Sequence, residues 1–387
     1  MKKIAILGST GSIGNSLIGI IKKNKNDFNI LLLTANKNYK KLIKQTEFFN
    51  VKNIIITDKK SFLITKKILK NKDITVYNNF DSLKKIFKNK KIDYTMSAIS
   101  GFEGLKPTLD IIEFTKIIAI ANKESIICGW SLIEKNLNKF NAQFIPIDSE
   151  HFSIWSLITN LKLKNIENIF ITASGGPFKD YPLNKFKNIT PREALKHPNW
   201  SMGNKISIDS ATMMNKVFEV IEAKKVFKLK YNQLNILLHS QSYLHAIVKF
   251  NNGLIKFLAH DTSMSIPIFN SLYQDSNKKI DSNKLNISVL NNLNLKVLEK
   301  KRYPVIEILD FLPDKESLFE TALVAANDTL VNLFLNKKIR FTDISKILLK
   351  FLRCNDFISY KSIKPKNINE IKKINEYVRL KITAFCV

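Results

Sequence analysis

The chain has 387 residues, 45% of them hydrophobic and 25% charged, which is ordinary globular usage and enough length for two or three domains. With only 11 Gly, 10 Pro and 3 Cys it is neither collagen-like, nor low-complexity, nor a disulfide scaffold. The formal charge of +29 comes from 62 basic residues of which only five are Arg, so it is poor in the planar forks by which nucleic-acid readers grip phosphates and base edges.

From the N-terminus, six short Ile- and Leu-rich runs predict strands: Lys3–Leu7, Ile30–Thr34, Asn53–Thr57, Thr95–Ile99, Ile117–Ala121 and Gln143–Ile147. Amphipathic, lysine-bearing segments such as Tyr39–Phe49 separate them, and this βαβ spacing predicts a parallel sheet covered by helices. The next stretch carries the strand signals Ile236–His239 and Leu244–Phe250, the latter before a hairpin turn at Asn251-Asn252-Gly253, mixed with helices. Beyond about residue 300, helical periodicity dominates over Ser317–Leu335, Phe341–Phe351 and Ile368–Val378. The fold class is therefore α/β, with an N-terminal dinucleotide-type domain over 1–149, a central α+β domain over 150–274 and a helical domain over 300–387. A polar linker, most marked at Asp275–Asn294, is expected over 275–299. No uninterrupted apolar run approaches the roughly 18 residues of a membrane span. The apolar run after Met1-Lys2-Lys3 stops at Gly8, far short of a secretory signal. Cys128, Cys354 and Cys386 lack metal-ligand spacing and suit a reducing cytoplasm.

The first strand runs into Gly8-Ser9-Thr10-Gly11-Ser12-Ile13-Gly14 and then a helix, the setting in which glycines let backbone N–H groups approach a pyrophosphate. An NAD site usually has an acid about 20 residues further on for the ribose hydroxyl. Here stand Thr34-Ala35-Asn36-Lys37-Asn38, with no acid and one cation, which predicts NADP. Asp148-Ser149-Glu150 closes the sixth strand run; on an extended chain residues i and i+2 share a side, so both carboxylates converge. Such a pair can hold a hard divalent ion with further oxygen ligands. Met213–Lys225 reads as a helix that puts Asn215, Lys216 and Glu219 on one face. Ala173-Ser174-Gly175-Gly176-Pro177-Phe178 offers backbone donors and a hydroxyl to an oxyanion. His197-Pro198-Asn199-Trp200-Ser201-Met202-Gly203 places an indole and an imidazole on a loop that can serve as a lid.

Together with Ala121-Asn122-Lys123-Glu124-Ser125, Pro146–His151 and the run Lys205–Lys216, these motifs are similar, in order and over essentially the whole chain, to the 1-deoxy-D-xylulose 5-phosphate reductoisomerases. The resemblance implies NADPH- and divalent-metal-dependent rearrangement and reduction of 1-deoxy-D-xylulose 5-phosphate to 2-C-methyl-D-erythritol 4-phosphate, in non-mevalonate isoprenoid biosynthesis. It implies that Asp148, Glu150 and Glu219 bind Mg²⁺, Mn²⁺ or Co²⁺. Lys123, Ser149 and Glu150 would contact the reacting carbons. Ser174, Ser210, Asn215 and Lys216 would hold the phosphate, with His197 closing over it. Trp200 and Met202 would belong to a flap. NADPH would meet Thr10, Gly11, Ser12, Ile13, Asn36, Lys37, Asn38, Asn122, Glu124 and Gly203. A Rossmann-like cofactor domain, a catalytic domain carrying homodimer contacts and a cytoplasmic location are also implied, with no membrane and no specific nucleic acid as partner.

The chain departs from the family pattern at three supporting positions. Asn36 stands for a usual Gly, a substitution that a left-handed turn tolerates; Ser240 stands for a usual Pro; and Ser265 for a basic residue. The competing readings are another NADP-dependent oxidoreductase of phosphorylated sugars and a nucleic-acid-binding protein using the positive charge.

Overall fold

The computed structural model describes every residue except Asn160, Ser201, Asp275, Ser276 and Val387. The first two residues of the expected linker therefore lie outside the described residues. The chain forms two units: Met1–Ser125, Ser131–Asp148 and Met264–Ile280 make the first; Ile126–Trp130, Ser149–Ser263 and Asp281–Val387 make the second.

Seven strands build the first unit: β1 (Lys2–Leu7), β2 (Phe28–Ala35), β3 (Asn53–Ile56), β4 (Thr75–Tyr77), β5 (Ile92–Ser97), β6 (Thr115–Ile120) and β7 (Gln143–Pro146). Their order is β4-β3-β2-β1-β5-β6-β7 and every pairing is parallel. Parallel strands are covered on both faces, which is why they read as continuous apolar runs. Ile4, Ala5, Ile6 and Leu7 are all fully buried. Strand order reverses between β1 and β5, the switch point at which such sheets bind ligands. There β1 turns into α1 (Ser12–Lys23).

Two of the three glycines in that turn are sterically obligatory. Gly8 has φ +84°, and a Cβ on it would lie 2.7 Å from the Ala98 carbonyl oxygen. A Cβ on Gly14 would lie 2.3 Å from the Gly8 carbonyl oxygen, so only glycine lets the helix start this close to the turn. After β6 comes α2 (Lys123–Phe140), which is non-helical at Gly129. The helix Ser265–Leu272 also belongs to this unit. Tyr94 and Ser271 hydroxyls are 2.7 Å apart in its core, and Lys2 Nζ donates to the Leu272 carbonyl.

The second unit opens with α3 (Ser149–Ile158) and contains β8 (Ile166–Ala173), α4 (Asn204–Thr212), α5 (Met214–Phe227), β9 (Leu234–Leu238), β10 (Leu244–Phe250), β11 (Ile255–Ala259) and β12 (Lys296–Val297). The sheet order is β11-β10-β8-β9-β12, with β8 and β9 parallel and the other pairs antiparallel. The Asn251–Gly253 turn joins β10 to β11 with Gly253 at φ +84°, as the hairpin signal predicts. Ile154 of α3 and Val220 and Phe227 of α5 pack on Ile169, Ile171 and Val248 of the sheet. Between α4 and α5 stands Met213 at φ +73°, a left-handed residue that stops one helix and lets the next begin.

The C-terminal helices are α6 (Leu318–Leu335), α7 (Phe341–Leu352) and α8 (Ile368–Cys386). A reciprocal Ser317/Glu320 capping box fixes the start of α6. This is the one helix among the described residues long and apolar enough to cross a membrane by length and composition. It is 83% buried within the protein, as a core helix is.

Candidate active site

Acids, lysines and hydroxyls of the motifs gather within each of the two units. In the first unit Lys123, at the start of α2, reaches Asp148 with Nζ–Oδ2 2.9 Å. Asn122 caps the same helix: its side chain accepts from Ser125 N–H at 2.9 Å and donates to the Gly101 carbonyl at 2.7 Å. Asn122, Lys123 and Glu124 are all buried.

Asp148 is followed at once by α3, and this corrects the geometric premise that the acids sit on an extended strand. Glu150 lies in the first helical turn, with Ser149 donating to it. In the second unit Lys216 Nζ bonds Glu150 Oε1 at 2.6 Å and Glu219 Oε2, while Asn215 donates to the other oxygen of Glu219. The Glu150 and Glu219 oxygens lie within 4.8 Å of one another. One buried ammonium thus bridges two carboxylates that would otherwise repel, and the trio keeps one net negative charge. Lys216 and Asn215, expected on a phosphate, here hold acids.

Behind them is a pair that the motif reading does not single out. His151, fully buried, contacts the Glu219 carbonyl through Nε2 at 2.9 Å and faces Glu222 at 3.6 Å. Glu222 stands three residues after Glu219, and His151 directly follows Glu150; adjacency on the helix faces was the available signal.

The second unit holds another constellation, in the turn after β8. Ser174 Oγ lies 3.1 Å from His197 Nε2. His197 Nδ1 accepts from the backbone N–H of Asn199 at 3.2 Å and of Trp200 at 3.0 Å. An Nδ1 that accepts twice leaves the proton on Nε2, which therefore donates to Ser174. Burial, helped by the Lys216 ammonium, pushes the His197 pKa down to about 4, so the ring is neutral at neutral pH.

Asn199 Nδ2 donates to Ser240 O at 2.7 Å and to Ser242 Oγ at 2.8 Å, which ties the segment after His197 to the loop with the unusual Ser240. Trp200 meets His245 edge-on at 6.2 Å, and His245 stacks on His260 at 3.8 Å. Met202 is half-buried, and Gly203 is the N-cap of α4. Ser210 is in the last turn of α4. That helix is anchored by Asp209, which accepts from Asn327 of α6 at 2.7 Å and pairs with Lys205 at 3.0 Å.

Of the residues expected on the cofactor, several follow the ends of β1 and β2. Thr10 and Gly11 lie in the turn between β1 and α1, Ser12 and Ile13 open α1, and Asn36, Lys37 and Asn38 are exposed after β2. Asn36 is not left-handed; instead its amide donates to Thr57 Oγ1 at 2.8 Å. Asn38 caps the next helix by accepting from Lys41 N–H.

A 1-deoxy-D-xylulose 5-phosphate reductoisomerase family model matches residues 4–129, and models of reductoisomerase C-terminal domains match 144–227 and 260–381. A 1-deoxy-D-xylulose 5-phosphate reductoisomerase of Pelagibacter ubique is 65% identical over the full length of both chains. The chain belongs to this family. The reductoisomerase of Clostridium novyi is 37% identical, over 98% of this chain and 99% of its own. Among solved structures, the Zymomonas mobilis reductoisomerase in complex with NADPH matches with TM-score 0.88 at 31% identity, covering 100% of this chain and 99% of that one. A reductoisomerase in complex with NADPH, fosmidomycin and magnesium matches with TM-score 0.91 at 30% identity, covering 100% and 98%.

Proposed function

We propose that the protein is an NADPH- and divalent-metal-dependent 1-deoxy-D-xylulose 5-phosphate reductoisomerase, making 2-C-methyl-D-erythritol 4-phosphate in isoprenoid biosynthesis. The observation that carries this reading is the buried Glu150–Lys216–Glu219 arrangement, two acids gathered round one cation on helices that also bear Asn215 and lead from Ser210.

The residues present fit both absent groups. Asp148, Glu150 and Glu219 each offer carboxylate oxygens, the donors that suit Mg²⁺ or Mn²⁺. Each already has an ammonium against it, Lys123 on Asp148 and Lys216 on the other two, so each calls for positive charge. The turn at Gly8 and Gly14, where a Cβ would strike backbone, is a cradle of the kind a pyrophosphate needs. When bound, the metal supplies Lewis-acid stabilisation of charge on the substrate's oxygens and NADPH supplies the hydride.

The chain's own side chains do the rest. Asp148, Glu150 and Glu219 hold the metal; Lys123, Ser149 and Glu150 face the reacting carbons. Ser174, Ser210, Asn215 and Lys216 take the phosphate, whose remote binding energy orients the reacting end. His197 donates from Nε2 at that site. Trp200 and Met202 close over the substrate and exclude water from a reactive aldehyde. Thr10, Gly11, Ser12, Ile13, Asn36, Lys37, Asn38, Asn122, Glu124 and Gly203 bind NADPH. Lys37, with no acid near it in sequence, favours the 2′-phosphate.

Residues 1–149, joined by the helix Ser265–Leu272, act as the cofactor domain and the rest of 150–274 as the catalytic domain; 275–299, expected as linker, also lends β12 to the second unit's sheet, and 300–387 act as a helical support in that unit. A homodimer through the catalytic sheet is supported by edge strand β11 and the turn before it, where Leu254, Ile255 and Phe257 are each more than half exposed. Three free thiols agree with a cytoplasmic location. The test follows NADPH absorbance with deoxyxylulose phosphate, with Mg²⁺ or Mn²⁺ and then with excess chelator. Metal-dependent oxidation with methylerythritol phosphate as product is expected. A folded, NADPH-binding protein that leaves this substrate untouched refutes the assignment.

A further inference from the structure

The turn that carries Ser174 is held by two neighbouring side chains far away in sequence. Gly175 and Gly176 have φ +85° and +65°, two left-handed steps in succession. Glycine pairs lose much conformational freedom on ordering, and this turn has little internal bonding to hold it: the Gly176 N–H donates to Ser174 Oγ at 3.1 Å. Its carbonyls are bonded from elsewhere. The Tyr303 phenol, 1% exposed, donates to the Gly175 carbonyl at 2.8 Å. Burial pushes its pKa up to about 12, so it stays a donor. Arg302 donates through Nη1 to the carbonyls of Phe178 at 2.9 Å and Tyr181 at 2.8 Å. Its guanidinium also lies 5.7 Å from the centre of the Phe186 ring. Phe178 in turn packs edge-on against Phe341 of α7 at 5.3 Å. Two consecutive residues therefore hold three carbonyls of one loop, one within the glycine pair and two after it.

We propose that Tyr303 and Arg302 are positioning residues that pre-set the Ser174 turn for the phosphate of the substrate. This rests on the reading of Ser174 and His197 as phosphate ligands. A turn fixed before binding spares the ligand the cost of ordering it, so the effect falls on phosphate affinity. Ser174 Oγ and His197 Nε2 are held at 3.1 Å only while the backbone of residues 174–176 keeps its course.

The test compares wild type, Tyr303→Phe and Arg302→Lys. Each is measured for turnover kinetics, for NADPH affinity by fluorescence, and for inorganic phosphate affinity by calorimetry. Tyr303→Phe deletes one hydroxyl and should raise KM for deoxyxylulose phosphate and weaken phosphate binding together, by roughly three- to tenfold. Both kcat and NADPH affinity should stay within about twofold of wild type, a split that general destabilisation does not produce. Arg302→Lys keeps the charge but not the planar fork, and should shift the same two quantities in the same direction. It carries the test if Tyr303→Phe does not fold. Unchanged KM and phosphate affinity in a folded variant overturn the clamp, as does an equal loss of NADPH affinity. Wild-type protein that neither turns over the substrate nor binds phosphate overturns the phosphate-site reading itself.

Discussion

Replacing Lys216 by Met asks how much of the site's stability rests on one ammonium. Met keeps the apolar stem and deletes the charge. Lys216 is 8% exposed and Glu150 13%, and the change leaves Glu150 and Glu219 facing each other within 4.8 Å. Removing one partner of a buried pair costs about 3–5 kcal/mol. Asn215 still donates to Glu219 and Glu150 keeps some access to water, which puts the loss near the lower end, about 3 kcal/mol. For a domain of 150–250 residues that lowers Tm by roughly 6–12 °C. A divalent cation should replace what the ammonium supplied. Excess Mg²⁺ is therefore expected to recover most of the loss in the variant and to stabilise wild type less. Scanning calorimetry of both proteins, in chelator and in Mg²⁺, reads four midpoints. A variant as stable as wild type in chelator would show that the ammonium does not hold the acids together. Equal metal increments in the two proteins would show that these acids are not where the metal goes.

Three further outcomes are expected. Glu219→Gln should abolish turnover while leaving NADPH affinity within about twofold; parallel loss of NADPH binding in folded protein contradicts the division of labour. Gly14→Ala should lose NADPH binding and destabilise the first unit by about 1–3 kcal/mol, because its Cβ would meet the Gly8 carbonyl at 2.3 Å; a variant with normal urea midpoint and NADPH affinity removes the steric argument. His197 contributes stability that is whole above about pH 6.5 and lost as pH falls towards 4, since its folded pKa is depressed to about 4 and the unfolded chain takes the proton first. A shift of that size is worth about 3 kcal/mol if fully buried, and roughly 1–2 kcal/mol for this half-buried ring after screening by solvent. His197→Gln should then lose less stability than wild type between pH 7 and 5, and identical urea-midpoint shifts would refute it.

The parallel sheet was legible because strands buried on both faces leave uninterrupted Ile-rich runs, as at Lys2–Leu7. Strand β4 was not: three residues at a sheet edge carry too little pattern, and two-residue β12 carries less. Strand β8 was missed because Ile166–Ala173 mixes Glu and Asn into its apolar run. The C-terminal helices were found, although α8 runs eight residues beyond the Val378 expected, to Cys386. At the site, residue types and spacings named the acids and the lysine, but not the state they adopt. Asp148-Ser149-Glu150 was read as strand where α3 begins, and an acid and a serine before an apolar run mark a helix start just as well. No local pattern joins Tyr303 to Gly175, 128 residues apart; only tertiary packing does that.

The left-handed Met213 also alters the electrostatics of its neighbourhood. Without it, Asn204 to Phe227 could run as one helix, with peptide dipoles cancelling head to tail through the middle. The break gives α5 its own N-terminus, and with it a partial positive charge of about half an elementary unit. Asn215 and Lys216 stand in the first turn of that new helix, whose Met214 N–H is taken by the Thr212 hydroxyl at 3.3 Å and whose Lys216 N–H is taken by the Met213 carbonyl at 3.0 Å. A single residue in an unusual conformation thereby turns what would be the middle of one rod into a junction where the negative end of one helix dipole meets the positive end of the next.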